Sequence, residues 1–360
     1  MKLSYKWTMK DDYPTERNGL KVFSCFACGG GSTMGYKLAG FDVIGCNEID
    51  PKMNRVYVAN HNPRFNYLEG IQTFKLRDDL PEELYNLDIL DGSPPCSSFS
   101  MAGNREKDWG KEKKFKEGQA EQVLDTLFFD FIDLAEKLQP KVVIAENVKG
   151  LLLGEAQKYV NKILQAFDKA GYYVRYDLLN AAKMGVPQKR ERVFFSAIRK
   201  DLYKGSFYDL FQSVPILKLE FNEKEVVFRD IYEKNAEGLR KKMYPSHSLL
   251  WDNKEYGDSD MSCASIRMRN KKIGFNNNYV YEHNPLNTIT AHKDNSSNVL
   301  FCEKRYLSLS EYIKGGSFPS DYDFMSINPG YLIGMSVPPL MTARIANEVK
   351  KQWLDKIKEK

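Results

Sequence analysis

The chain has 360 residues, of which 42% are hydrophobic and 28% charged, with a net charge of +5 and six cysteines. This is enough for one large domain plus a smaller one, and the composition excludes a disordered or fibrous chain. No stretch nears the roughly 20 apolar residues a bilayer needs and no signal-like apolar core opens the chain, so no membrane partner and no export are expected.

Six cysteines are too sparse for a disulfide framework, so a reducing, cytoplasmic setting is the default. The mildly basic charge is compatible with a polyanionic partner. Taken in chain order, short apolar runs end repeatedly at small or acidic residues. Lys21-Val22-Phe23 enters a glycine cluster, and Phe41-Asp42-Val43-Ile44-Gly45 ends at Asn47-Glu48. Leu87-Asp88-Ile89-Leu90 ends at Asp91-Gly92, and Lys141-Val142-Val143-Ile144-Ala145 ends at Glu146-Asn147. Between the last two, QVLDTLFFDFIDLAEKLQP places Val123, Leu127, Phe131 and Leu134 on one helical face before Pro140. Strands alternating with helices predict an α/β fold with a doubly wound, mostly parallel sheet, whose ligands bind beyond the carboxyl ends of the strands.

The pattern changes after Ile198. Residues 199–285 are rich in Lys, Arg, Asn, Ser and Tyr, with strand-like pieces such as Glu225-Val226-Val227-Phe228, and read as a smaller domain of irregular or β character. From Met341 onward Ile345, Val349, Trp353 and Ile357 form one helical stripe, expected to pack back on the first domain. The expected organisation is a catalytic domain over 18–198 completed by 328–358, with a recognition domain over 199–327.

FSCFACGGGSTMGYKLAGFDVIGCNEID, residues 23–50, reads as strand, glycine loop, helix, strand and acid. Glycines let backbone approach a ligand, and an acid roughly 20 residues on, here Glu48, suits the hydroxyls of a ribose. The loop lacks a strict G-x-G-x-x-G, which disfavours a pyrophosphate cradle and a nicotinamide oxidoreductase. A nucleoside cofactor without phosphates, such as S-adenosylmethionine, fits better; the plainer account is a tight glycine turn with a surface glutamate. Cys25-Phe26-Ala27-Cys28 has a spacing that suits zinc or redox chemistry. No second pair follows, so no metal site is expected.

DGSPPCSSFS, residues 91–100, mounts the thiol of Cys96 behind two prolines at a strand end. A thiolate is intrinsically a potent nucleophile. Glu146 in AENVKG stands at the end of the neighbouring strand, where a proton-bearing carboxyl could serve a ring nitrogen. In Gln188-Lys189-Arg190-Glu191-Arg192 the alternate arginines are expected to share one face of an extended segment, with guanidinium forks for phosphate or carbonyl oxygens. Each element alone could be a turn, a helix cap or a solvated edge.

In this order, the segments resemble the DNA (cytosine-5)-methyltransferase family over nearly the whole chain. Phe26-Ala27 with the glycines is similar to its cofactor loop, Asn47-Glu48 to its ribose-binding acid, and Pro94-Pro95-Cys96 with Phe99-Ser100 to its catalytic motif. Asp125-Thr126-Leu127-Phe128-Phe129 resembles the helix start that touches cofactor, Glu146-Asn147-Val148 the ENV motif, and Gln188 to Arg192 the Q-x-R-x-R motif. Arg305-Tyr306-Leu307-Ser308 with Glu311 and Phe318-Pro319 resembles the ninth motif, and Gly334-Met335-Ser336-Val337-Pro338-Pro339 the tenth. Six positions depart from the pattern: Ser24, Cys28, Gly70, Ser97, Ser310 and Met335. In the family Ser24 is often an aspartate and Cys28 a glycine, and by the resemblance Gly70 takes the place of an aspartate that reads the adenine.

The resemblance implies a Rossmann-like S-adenosylmethionine-dependent methyltransferase domain with a smaller target-recognition domain. It implies methyl transfer to C5 of a cytosine flipped out of duplex DNA, in restriction-modification or phage protection. Cys96, Glu146, Arg190 and Arg192 become the catalytic set. Phe26, Ala27, Gly29, Gly30, Gly31, Glu48, Ile49, Ile71, Pro94, Leu127, Ser336 and Val337 become the cofactor set. Ser97, Ser98, Arg105, Gln188, Arg267 and Arg269 are assigned to double-stranded DNA, with residues 97–118 as a basic loop that closes on it. A monomer is expected, with a cognate restriction endonuclease as its genetic partner. Two rivals stand beside this: an RNA (tRNA) cytosine-5 methyltransferase on the same scaffold, and a catalytically silent DNA-binding relative.

Overall fold

The computed structural model describes residues 3–95, 126–154, 156–202, 216–273 and 277–357. Cys96 and the expected mobile loop therefore lie outside the described residues. After a short helix α1 (Met9–Asp12), the chain alternates β1 (Lys21–Cys25), α2 (Gly31–Leu38), β2 (Asp42–Asn47), α3 (Pro51–His61), β3 (Phe65–Tyr67), α4 (Ile71–Phe74) and β4 (Ile89–Gly92). It continues through α5 (Leu127–Leu138), β5 (Val142–Val148), α6 (Ala156–Lys169), β6 (Tyr172–Asn180), β7 (Gln188–Lys189) and β8 (Glu191–Arg199). Seven of these strands form one sheet in the order β3-β2-β1-β4-β5-β8-β6. The neighbours from β3 to β5 are parallel, and β8 is antiparallel to β5. The expected doubly wound, mostly parallel sheet is present.

Central strands read as unbroken apolar runs because both of their faces are covered. Val22, Phe23, Ile89, Leu90, Val142 and Val143 are fully buried. The helix expected across 122–140 is observed as Leu127–Leu138, and Gln139 closes it in the left-handed region at φ 51°. Its Phe131 lies against the end of β4, where a Cβ on Gly92 would sit 2.5 Å from the ring. Only glycine fits there, which accounts for Asp91-Gly92 ahead of the prolines.

The chain divides into two compact units. One holds Met1–Asp12, Asn180–Arg190 and Phe221–Met341; the other holds Tyr13–Leu179, Glu191–Glu220 and Thr342–Lys360. These boundaries differ from the expected 18–198, 199–327 and 328–358. Segment 180–190 joins the first unit because β7 pairs with β10 (Leu286–Asn287), with Gln188 opposite Leu286. The N-terminal residues belong there too. Trp7 Nε1 donates to Ser317 O at 2.9 Å, and the Asp321 carboxylate accepts from Met9 N and Lys10 N.

The first unit also contains α7 (Pro245–Asp252), α8 (Met261–Arg269), β9 (Asn278–Val280), β11 (Asn298–Leu300), α9 (Leu309–Gly315) and α10 (Pro329–Met335). Its core gathers Leu250, Met261, Ala264, Tyr279, Val299 and Tyr306. Glu225 to Phe228, expected as strand-like, is not a strand. Phe228–Asp230 is a short 3-10 turn, tied to the chain at 282–284 by bonds from Phe228 N to Asn284 O and Arg229 N to Glu282 O. Helix α11 (Pro339–Gln352) carries the expected stripe: Ile345 and Val349 are buried, as is Trp353 just beyond it, while Ile357 is half-buried. Trp353 Nε1 donates to Ile216 O at 3.0 Å within the second unit. No helix among the described residues is long and apolar enough to cross a membrane.

Candidate active site

The site residues of the second unit stand at the carboxyl ends of its parallel strands. After β1 the chain turns through left-handed backbone at Phe26 (φ 52°), Cys28 (φ 48°) and Gly30 (φ 86°). Ala27 N donates to Asn47 O, and Gly30 N to Ala27 O, so the loop folds tightly over the end of β2. A Cβ on Gly30 would lie 2.0 Å from His61 Nε2. The glycine therefore serves the packing of the loop on α3. Ala27 is buried, and the half-buried Phe26 ring lies 6.3 Å from Phe131.

Glu48 follows β2 and is 7% exposed. One carboxylate oxygen accepts from Cys28 N at 2.7 Å and the other from Asp50 N at 2.8 Å. Burial pushes its carboxyl up, and these backbone donors pull it back. Two oxygens held by amides keep lone pairs free for ligand hydroxyls. Ile49 is half-buried and Ile71, at the start of α4, is buried. Gly70 caps α4 without a side chain, and a Cβ there would stand 3.5 Å from Ile49 Cδ1. Pro94 and Leu127 are buried.

Asn147 Nδ2 donates to Pro94 O at 3.2 Å, which ties β5 to the segment leading into Cys96. The motif signalled Asn147, but its positioning task emerges only in three dimensions. Next to it, Glu146 Oε1 meets Arg192 Nε at 2.8 Å, with both side chains mostly buried. Burial pulls the guanidinium of Arg192 below its ordinary range, and the Glu146 charge opposes that. Cys96, Ser97, Ser98 and Arg105 lie outside the described residues.

The expectation that Arg190 and Arg192 share a face is corrected. The strand breaks between β7 and β8, and Arg190, 2% exposed, turns inward to donate to Ile289 O at 3.0 Å and Gly334 O at 3.1 Å. It holds backbone in the first unit. Gln188, expected at DNA, is equally committed there: its Nε2 donates to Gly315 O and its Oε1 accepts from Ile289 N. Arg267, expected at DNA, has an intramolecular partner. Its fork grips both oxygens of Asp258 at 2.7 Å, and Nη2 also reaches Asn253 O at 3.0 Å. Arg269 is exposed in the last turn of α8. Ser336 Oγ donates to Leu332 O at 2.9 Å, and Val337 is buried; both belong to the first unit.

Residues 20–351 match the C-5 cytosine-specific DNA methylase family. The chain belongs to that family. The protein is thus a DNA cytosine methyltransferase by class. It is similar to the type II methyltransferase M.FnuDI of Fusobacterium nucleatum, at 29% identity over 355 residues, 95% of this chain and 97% of that one. M.NgoPII of Neisseria gonorrhoeae is 36% identical over 195 residues, and the match spans 54% of this chain and about half (52%) of that relative. The fold is similar to that of Spodoptera frugiperda DNMT2, with TM-score 0.62 and 17% identity over 92% of this chain and 99% of that one.

Arg305 of the ninth motif is a clamp: Nη1 and Nη2 bind Glu311 Oε2 and Oε1 at 2.8 and 2.9 Å, and Glu311 is fully buried. The departure at Cys28 places a side chain in left-handed backbone, which costs a non-glycine residue about 1–2 kcal/mol. Cys28→Gly should raise stability by about 0.5–1 kcal/mol after the added chain entropy of glycine is subtracted. A thermal melt reads this, and an unchanged or lower midpoint would show that the turn carries no strain.

Proposed function

We propose that the protein transfers a methyl group from S-adenosylmethionine to C5 of a cytosine flipped out of a specific duplex DNA sequence. The observation that carries this is the Glu146–Arg192 pair at the end of β5, beside the Asn147–Pro94 anchor of the segment that bears Cys96. The residues around the glycine loop fit the cofactor. Glu48 offers an oriented carboxylate to ribose hydroxyls, and Phe26, Ala27, Ile49, Ile71, Pro94 and Leu127 supply apolar walls and backbone edges. When bound, the cofactor supplies an electrophilic methyl group on its sulfonium.

C5 of cytosine is a poor nucleophile, so electrons must first enter the ring. Cys96 thiolate adds to C6, and negative charge spreads to N3 and O2. Glu146 in its protonated form donates to N3 and accepts from the exocyclic amine. Arg192 orients Glu146 and offers its remaining N–H groups to O2. C5 becomes enamine-like and reactive toward the methyl donor. Loss of the C5 proton to water then expels the thiol. None of these atoms is reachable in stacked duplex, so flipping must be driven at a cost of a few kcal/mol.

The unit containing 221–341 reads the target sequence in this account, with Arg269 at its exposed surface. The protein acts as a monomer beside a cognate endonuclease or in phage protection. Duplex DNA carrying 5-fluorocytosine tests the chemistry, because fluorine at C5 blocks the final elimination. Incubation with S-adenosylmethionine should leave protein covalently bound to DNA through Cys96, visible on a denaturing gel. Absence of that adduct, with natural DNA unmethylated in the same assay, would refute the proposal.

A further inference from the structure

A ribose held at Glu48 carries a purine ring, and the polar edge of that ring needs partners of its own once water is excluded. By the resemblance an aspartate would meet it at position 70, where this chain has Gly70. The backbone does not demand a glycine there: φ −68° and ψ 148° are open to any residue.

The segment carrying Gly70 is fixed to the ribose side of the site. Asn47 of β2 stands opposite Tyr67 of β3. Its Nδ2 donates to Tyr67 O at 3.3 Å and to Glu69 O at 2.8 Å, while Glu48 N donates to Tyr67 O at 3.0 Å. On the far side, Thr73 Oγ1 and the backbone amides of Thr73 and Phe74 donate to Gly70 O. Gly70 is thus held between Glu48 and α4.

A Cβ on Gly70 would meet Ile49 Cδ1 at 3.5 Å and Gln72 Oε1 at 3.0 Å. The space left by the missing side chain is therefore bordered by Ile49, the residue after Glu48, and by the amide of Gln72. The Gln72 oxygen stands close to where an aspartate's own carboxyl oxygen would. Gln72 is half-buried, and among the described residues no hydrogen bond takes up its amide.

A side-chain amide offers an acceptor beside a donor. The adenine edge presents the complement, with the 6-amino group as donor next to N1 as acceptor. We propose that Gln72 is the residue that selects adenine: Oε1 accepts from the 6-amino group and Nε2 donates to N1. A carboxylate could only accept, so it would meet the amine and leave N1 unpaired; the amide meets both. This rests on the proposed S-adenosylmethionine site.

Calorimetric titration of the full chain with S-adenosylhomocysteine, the demethylated cofactor, tests this without turnover. Gln72→Ala should raise Kd by about 5–100-fold, the range of one good bidentate amide–base pair. A second ligand, the same molecule with hydrogen in place of the 6-amino group, shows whether the two groups are partners. With it the cost of Gln72→Ala should shrink by at least about threefold, because coupled changes are not additive. An unchanged Kd for S-adenosylhomocysteine, or an equal cost with both ligands, overturns the inference and leaves the cofactor reading intact. A wild-type chain that binds neither ligand overturns that reading and the inference with it. Should Gln72→Ala not fold, Gln72→Leu removes both polar atoms at similar length and is held to the same outcomes.

Discussion

Glu146→Gln is expected to lower kcat for cytosine methylation by about 10²–10⁴-fold, the range that a positioned acid or base contributes. The glutamine is isosteric. Its Oε1 can still accept from Arg192 Nε, which Glu146 now holds at 2.8 Å, so the fold and the arginine should stay in place. The amide can hydrogen-bond N3 but cannot deliver a proton as the ring accepts electrons. The loss should therefore fall on kcat, with KM for the cofactor little changed. Single-turnover measurement with the natural base separates this chemical step from product release. A variant within twofold of the wild type would remove Glu146 from the catalytic set.

Arg305→Ala is expected to be the most damaging change to stability away from that set. Glu311 is fully buried, and four donors satisfy its carboxylate: two from Arg305, with Glu233 N at 3.1 Å and Ser308 N at 2.8 Å. Removing the guanidinium leaves an uncompensated buried charge, a loss of about 3–5 kcal/mol. At about 2.1 cal/mol/K of unfolding entropy per residue, a 360-residue chain should see its melting midpoint fall by roughly 4–7 °C. Calorimetry checks it. Arg305→Lys keeps a positive charge beside Glu311 and should lose less than Arg305→Ala, while forfeiting the bidentate fork. A fall under about 1 kcal/mol in Arg305→Ala would mean that water reaches the carboxylate and the clamp is a surface pair.

The sheet was legible because its strands are covered on both faces, so Val22-Phe23, Ile89-Leu90 and Val142-Val143 appear as unbroken apolar runs. Glu48 and Glu146 were legible because each directly follows such a run. Arg190 and Gln188 were not. On paper Q-x-R-x-R alternates like a strand, but the ladder breaks at Arg190, and one side chain swings inward while Arg192 stays with Glu146. The occupied fork of Arg267 escaped notice because Asp258 lies nine residues earlier, beyond any helical spacing. Asp91 read as the mere end of an apolar run. Nothing in one dimension announces that Ser24 and Tyr36, from two other elements, aim their hydroxyls at it.

Neither compact unit is a continuous piece of chain: the polypeptide passes between them at 12/13, 179/180, 190/191, 220/221 and 341/342. A chimaera that exchanges 221–341 alone would thus split the first unit. The donor's counterpart of Asn180–Arg190 has to travel with it, because the Gln188 and Arg190 side chains are fitted to carbonyls at 315, 289 and 334. Grafts that leave that eleven-residue strip behind inherit a foreign lock with the native key.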